Sequence, residues 1–308
     1  MKAVLVSPHS PAHLAIGDAP DPQPDSHQAV VRVSTVSLNR GEVRRAQTLQ
    51  AGSPLGWDLA GVVEHAARNG TGPAIGSRVV GFSRALAGWA QLCAVPVNDL
   101  AVLPDEVSLT DAATLPVAGL TALYGLERGQ RLLAANVLIT GATGGVGYFA
   151  CQLARAMGAQ VTALIRNMEH EALVRAAGAH HVISNNAASH GPYRLILDGV
   201  AGDGLGELLR CLDEDGRAVL YGVSDGMQTP IAVRDLMATG AGRIEGFHLY
   251  RESEYAHARN GLARLASLVA QGRLKTHISR TEDWREVGAV AKDLIARSYT
   301  GKAVLKVS

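Results

Sequence analysis

The segment that most restricts what this chain can fold into is residues 137–147, VLITGATGGVG. An apolar run suited to a buried strand passes into a glycine-rich turn, and an amphipathic stretch follows at once. Glycine lets a backbone turn tightly and lie close to a pyrophosphate, while the first amides and the dipole of the next helix attract negative charge. Glycines alone are a weak signal; a strand before and a helix after make the pattern specific. In the G-x-G-x-x-G spacing the three positions fall at Ala142, Gly144 and Gly147. The first glycine is thus replaced, and Gly141 beside it keeps the turn flexible. Ala142, Thr143, Gly144, Gly145 and Val146 are the expected phosphate contacts.

The surrounding periodicity agrees with a dinucleotide fold. Residues 136–140, 160–165, 181–184, 194–198 and 217–221 read as strands, and 243–250 as a sixth. Residues 145–157 and 168–177 read as helices, the second ended by Gly178, and Leu205, Leu208, Leu209 and Leu212 form a helical stripe. Such alternation implies a parallel sheet with helices on both faces. Upstream, residues 1–7, 30–36, 61–64, 78–82 and 89–95 are short strand-like runs broken by Gly and Pro, with no clear helix. They predict a β-rich, barrel-like lobe. Residues 111–126 read as a helix broken or kinked at Pro116. In the tail, 254–271 is an amphipathic helix with Tyr255, Leu262, Leu265 and Leu268 on its inner side. Residues 284–297 form another helix and 302–307 a closing strand, and this tail is expected to return to the first lobe. A length of 308 residues suits about two domains.

The second strand of the alternating series ends at Ile165, where an NAD site carries a carboxylate for the ribose hydroxyls. Here Arg166 and Asn167 follow. A guanidinium pairs with a 2′-phosphate through two parallel bonds, worth about 1.5–3 kcal/mol or roughly 10- to 150-fold in preference. The expected cofactor is therefore NADPH, held in part by Arg166 and Asn167, with Arg175 able to assist. Other ligand classes lack their footprint. A net charge of +1 and 4% aromatic residues offer nothing for nucleic acid or an acidic membrane. No apolar run reaches the ~18 residues of a membrane span, and the start reads as a strand rather than a signal peptide. Cys93, Cys151 and Cys211 are far apart, with neither disulfide nor metal spacing, which predicts a cytoplasmic protein.

Further motifs give a family resemblance: SLNRGE at 37–42, GWDLAGVV at 56–63, IGSRVVGF at 75–82 and LPDEVSLTDAATLPVAGLTALYGL at 103–126. With the glycine loop, LILDGV at 195–200, GRAVLYG at 216–222 and TGKAVLKV at 300–307, the chain resembles the medium-chain dehydrogenase/reductase superfamily, in its zinc-independent quinone oxidoreductase (zeta-crystallin-like) branch. The resemblance covers nearly the whole chain. It implies an α/β fold in which a Rossmann doubly wound parallel sheet is inserted into a GroES-like β-rich catalytic domain. The expected boundaries are 1–112 for the first part of the catalytic domain, 113–250 for the NADP-binding domain and 251–308 for the second part. It also implies reduction of quinones, enones or alkenals by NADPH, and a homodimer pairing near residues 243–250.

By motif position the zinc ligands of the zinc-dependent relatives fall at Asn39, Trp57 and about Val117, none of which is a thiolate or imidazole. No metal is expected. His180 and His181 are expected at a strand edge. Conjugate reduction needs only a hydride on an electrophilic carbon and a donor or proton for the oxygen. By resemblance, Asn39 stands near the nicotinamide and substrate, where it donates to the substrate carbonyl or else satisfies backbone groups in a turn. Arg40 and Arg44 stabilise an enolate or are simply solvated. Trp57 is a pocket wall, and Asp58 braces the site. Thr121 contacts the nicotinamide or its ribose, and Gly222, Val223 and Phe247 join the cofactor contacts. Lys302 lines the cleft or sits on a surface turn. The catalytic candidates are Asn39, Arg40 and Trp57. Asn185 stands where many members carry Tyr near the 2′-phosphate. Two other functions fit the same fold: an enoyl-type reductase on a carrier-bound or polycyclic intermediate, and an NADPH-binding protein with little turnover.

Overall fold

A computed structural model describes residues 1–308. The chain opens with β1 (Lys2–Val6), β2 (Leu14–Asp18) and the long β3 (Gln28–Ser37). A short helix α1 (Arg40–Arg45) then leads to β4 (Asp58–His65), β5 (Arg78–Phe82), β6 (Leu92–Pro96), β7 (Leu100–Val102) and α2 (Leu109–Ala112). A π turn (Leu115–Gly119) precedes α3 (Leu120–Glu127), so the helical stretch around Pro116 is broken rather than continuous. Strands and helices then alternate through β8 (Asn136–Thr140), α4 (Gly145–Ala156), β9 (Gln160–Leu164), α5 (Glu171–Ala176), β10 (His181–Ile183) and β11 (Tyr193–Asp198). They continue with α6 (Asp203–Leu209), β12 (Leu212–Leu220), α7 (Val233–Ala238), β13 (Arg243–Gly246) and α8 (Leu249–Ala256). The tail adds α9 (Ala258–Ala270), β14 (Ile278–Asp283), α10 (Val287–Ala296) and β15 (Lys302–Lys306).

Two compact units result. One joins Met1–Leu120 to Ser253–Ser308, and the other is the inserted Thr121–Glu252. In the first, strand order is β14-β15-β3-β4-β5-β7, with β6 also on β3. The tail does return: Val304, Leu305 and Lys306 of β15 pair antiparallel with Ser37, Val36 and Thr35 of β3. Its core is aliphatic around two fully buried indoles, Trp89 and Trp284.

The inserted unit is a six-stranded, wholly parallel sheet in the order β10-β9-β8-β11-β12-β13. Counted from β8 this is 3-2-1-4-5-6, the Rossmann arrangement, whose direction of winding reverses between β8 and β11. Leu138, Ile196, Tyr193, Leu205, Leu209 and Ala218 pack as one core cluster here. The observed α/β architecture, a parallel sheet with helices beside a mostly antiparallel second sheet, is the one expected.

Several local readings are corrected. The sixth strand stops at Gly246, and Leu249 and Tyr250 begin α8. The first tail helix is two helices separated at His257, whose φ of 53° breaks the regular turn. Tyr255 therefore lies on α8 and is 74% exposed, while Leu262 and Leu265 are buried on α9. Leu212 begins β12 instead of ending the stripe of α6. Residues 278–283 form β14, unanticipated because half-exposed and exposed positions alternate along it and none is buried.

Candidate active site

Two groups of residues have the chemistry of a site, one in each unit. In the inserted unit, β8 delivers the chain to Gly141, where φ is +57°, and Gly144 N–H donates to the Gly141 carbonyl to close the turn. Gly147 lies so close to this turn that an added Cβ would sit 2.4 Å from the Gly141 oxygen and 2.6 Å from Ala142 Cα. Only glycine lets α4 begin this near β8. No side chain caps α4, so its first amides, including those of Gly145 and Val146, point outward without a side-chain acceptor. Thr140 Oγ donates to Asp198 Oδ1 at 2.6 Å and accepts from Gly199 N–H, tying the ends of β8 and β11 together. Asp198 Oδ2 accepts from the Val200 and Ala201 amides, and burial raises the Asp198 pKa. The crevice edge at the reversal point is thus rigidly built. Its third strand end, after β12, also approaches closely: a Cβ on Gly222 would meet the Gly199 carbonyl at 2.8 Å.

Arg166 stands just beyond β9, exposed, with no hydrogen bond or ion pair. Its neighbour Asn167 is occupied: Oδ1 accepts from Glu169 N–H and Nδ2 donates to Glu169 Oε2, a helix cap. Arg175 is engaged by Glu171 Oε1 and the His180 carbonyl, which removes it as a ready second cation. Thr121 is buried on α3, Val223 is exposed, and Phe247 N–H donates to the Leu220 carbonyl. His181 does lie on an edge strand, β10, stacked on His190 with ring centroids 4.1 Å apart.

In the other unit Asn39, Trp57, Asp58 and Lys302 gather around β3, β4, α1 and β15, together with Ser37 and Glu42. Glu42, Asp58 and Lys302 are at most 4% exposed. Buried charge is costly unless paired and fully hydrogen-bonded, and this cluster meets that condition closely. Asp58 Oδ2 accepts from Ser37 Oγ at 2.8 Å, Asn39 Nδ2 at 2.8 Å and Lys302 Nζ at 3.1 Å. Asp58 Oδ1 accepts from Val117 N–H at 2.9 Å, an amide freed by the π turn. The three Lys302 hydrogens have three acceptors: the Leu38 carbonyl at 2.8 Å, Asn39 Oδ1 at 2.6 Å and Asp58. Glu42 Oε1 accepts from Asn39 N–H at 2.7 Å and Asn39 Nδ2 at 2.9 Å, and Oε2 from Trp57 N–H at 2.7 Å. Burial, reinforced by the charge of Asp58, pushes the Glu42 carboxyl up to about 8.

This geometry corrects two expectations. Asn39 does not hold a free N–H for a substrate carbonyl, because both Nδ2 hydrogens are taken by carboxylates. Lys302 is not on a surface turn and has no hydrogen left for a ligand. Glu42 was missed, although Asn39-x-x-Glu42 has the capping-box spacing. Trp57 is half-buried, and Arg45 lies over its ring at 5.7 Å. Arg40 donates through Nη1 to the Leu294 carbonyl of α10.

Comparison with known proteins agrees with this architecture. Residues 145–264 match the family described as zinc-binding dehydrogenase. The chain is 34% identical over 300 residues to a spectinabilin polyketide synthase system protein of Streptomyces orinoci; the match covers 90% of this chain but only 13% of that protein. It is 27% identical to a quinone oxidoreductase of Pseudomonas aeruginosa, with 96% of each chain covered. The crystal structure of Escherichia coli quinone oxidoreductase complexed with NADPH superposes with a TM-score of 0.88 at 23% identity, covering 99% of this chain and all of that one. A zinc ion does not suit the residues present. Asn39 is consumed by its neighbours, and Trp57 and Val117 offer no ligand atom. No helix is long and apolar enough to cross a membrane.

Proposed function

We propose that the chain is a member of the quinone oxidoreductase branch of the medium-chain dehydrogenase/reductase superfamily, to which it is similar, and that it is an NADPH-dependent reductase of quinones, enones or alkenals that works without zinc. The observation that carries this reading is the uncapped start of α4 beside a free guanidinium at the end of β9. The amides of Thr143, Gly145 and Val146 take the pyrophosphate, Ala142 and Gly144, whose own N–H groups are engaged in the turn, line it, and Arg166 takes the 2′-phosphate. Thr121, Gly222, Val223 and Phe247 are assigned to the rest of the cofactor. Bound NADPH supplies a hydride to a carbon already made electrophilic by conjugation, a step that needs no Lewis acid. With Asn39 and Lys302 fully engaged, the proton for the developing oxyanion is assigned to water. Trp57 serves as a wall for a flat substrate.

Calorimetric titration with NADPH and NADH tests the cofactor, and NADPH consumption across quinones, enones and alkenals tests the substrate class. Binding of neither nucleotide rejects the reading. NADPH binding without turnover across the whole panel points to the low-turnover alternative.

A second reading, an enoyl-type reductase on a biosynthetic intermediate, is favoured by one observation: identity is higher to the polyketide synthase protein, 34%, than to the Pseudomonas quinone oxidoreductase, 27%. A kcat/KM for unsaturated acyl thioesters well above that for simple quinones selects it. Self-association as a homodimer is also proposed, along β13. That strand has a neighbour on one side only, and an open edge is a template for pairing. Exposed Val233 and Met237 on α7, the helix before β13, add apolar surface. Light scattering that returns the mass of a single chain removes this proposal.

A further inference from the structure

The inserted sheet ends at β10, the shortest of its six strands, which has a neighbour on one side only. Three residue pairs join it to β9: His181 with Thr162, Val182 with Ala163 and Ile183 with Leu164. So short a pairing needs further fastening, and at the start of the strand the fastenings are imidazoles. His180 N–H donates to the Val161 carbonyl at 2.8 Å, and Val161 N–H donates back to Nδ1 of the His180 ring at 2.9 Å. His181 lies face to face with His190, ring centroids 4.1 Å apart and planes 16° from parallel. That stack closes the connection from β10 to β11, residues 184–192, back onto the strand. Tyr193 Oη also holds the connection, donating to the Ala187 carbonyl at 2.7 Å. At the far end of β10, Ile165 N–H donates to the Ile183 carbonyl at 2.9 Å, so the residue before Arg166 hangs on this strand as well.

Both fastenings work only while the rings are unprotonated. A ring nitrogen that accepts an N–H needs a lone pair, and imidazolium has none. A proton on His180 Nδ1 sets two N–H groups against each other at the start of β10. A proton on each stacked ring sets two positive charges in contact. The surroundings add cations. Arg155 Nη1, at the end of α4, lies 3.2 Å from His180 Nε2, and Arg175 of α5 donates through Nη1 to the His180 carbonyl. Glu171 of α5 accepts from Arg175 Nε at 2.6 Å, and no carboxylate pairs with any of the three imidazoles. β9 contributes no ionisable side chain, and the Tyr193 hydroxyl of β11 is turned to Ala187. Burial lowers the pKa of both His180 and His181, helped by Arg155 and His181 for the first and by His190 and Arg175 for the second. We propose that β10 is an acid-released edge strand: unprotonated His180, His181 and His190 fasten it at neutral pH, and proton uptake frees it together with the connection 184–192. The device needs no bound nucleotide, and through Ile165 its release reaches the residue beside Arg166. The folded chain holds these protons less tightly than the unfolded one, so the stabilisation is complete above the ordinary 6.5 and is lost as pH falls below it.

Amide hydrogen exchange of the full chain between about pH 7.5 and pH 5.5, corrected for the intrinsic pH dependence of exchange, reads the release. Protection at residues 180–191 and at Ile165 should fall about 10-fold, while β8, at the centre of the same sheet, keeps its own. The variant H180N/H181F/H190F retains an acceptor where Nδ1 stood and two rings able to stack, and none of the three new side chains takes a proton. Its protection should be the same at both ends of the range. Wild-type protection that does not change with pH overturns the proposal, as does an equal loss in the variant. A titration of the wild-type imidazoles by NMR decides the matter even where the variant fails to fold. His180 should show an unprotonated Nδ1 at neutral pH, and His180 and His181 should both titrate below 6.5. Titration of either at or above that value, or a protonated Nδ1, overturns the proposal.

Discussion

The turn between β8 and α4 is nearly all backbone, whereas the cluster around Asp58 is nearly all side chain. At the turn, the essential atoms are amides and the essential residues are those that keep out of the way: Gly147 matters because a Cβ would strike the Gly141 carbonyl. Around Asp58 the essential atoms are two carboxyl groups, an amide and an ammonium drawn from α1 and the residue that caps it, β4 and β15, residues up to 263 positions apart in the chain. A site made of backbone leaves its mark in contiguous sequence. One made of converging side chains does not. The two should also fail differently when altered: the first through steric overlap, the second through uncompensated charge.

Uncompensated charge is the larger penalty. Asp58→Ala strips Lys302 of its buried counter-ion and leaves Ser37, Asn39 and Val117 N–H without their acceptor. The expected loss is about 3–5 kcal/mol, measured by denaturant unfolding. A loss under about 1 kcal/mol would mean that water reaches the cluster and that the contrast between the two sites is false. Steric overlap comes next. Gly147→Ala is expected to cost about 1–3 kcal/mol and to weaken NADPH binding, because the obstructing atoms are backbone and cannot rotate away. Gly204→Ala in α6 is the control: nothing lies within 4 Å of the added Cβ, so the change should be neutral or slightly stabilising. If the two alanines behave alike, close approach is not the reason for the glycine at 147.

Arg166→Glu leaves packing untouched, since the side chain is exposed and unpaired. It should lower the ratio of NADPH to NADH efficiency about 10- to 150-fold, read from kcat/KM for each nucleotide, with unfolding unchanged. An unaltered ratio removes Arg166 from the site.

The same contrast explains what could be read from the sequence. The alternation of strands and helices, the glycine turn and the amphipathic stripes follow local rules, and the parallel sheet they suggested is the one present. Errors fell where tertiary context decides. Tyr255 fits a helical stripe, but the stripe is cut at His257 by a left-handed residue. Lys302 looks like a turn lysine after Thr300 and Gly301 until β15 is seen to press it against β3. Glu42, between Arg40 and Arg44, looks like one of several solvated charges; nothing contiguous reveals that β4 brings Asp58 and the Trp57 amide to meet it. The Asn39-x-x-Glu42 spacing was the single local hint, and it announces a helix start rather than a buried acid.

The sharpest probe of the side-chain site is a titration. Burial raises the Glu42 pKa from the ordinary 4.5 to about 8. Between those values the folded chain keeps a proton that the unfolded chain has released, so stability falls as pH rises through this window. The contribution is complete below about 4.5 and is gone once pH passes about 8. One such group changes stability by at most about 1.4 kcal/mol per pH unit. Glu42→Gln keeps an oxygen for one set of donors but cannot titrate. Wild type and variant should therefore differ little at pH 5, and the variant should lose less stability between pH 5 and pH 8. The measurement is the unfolding free energy at several pH values at constant ionic strength, which leaves exposed carboxylates as a common background. Parallel curves would mean that Glu42 stays ionised throughout, held by its three N–H donors, and that hydrogen bonding outweighs burial in this cluster.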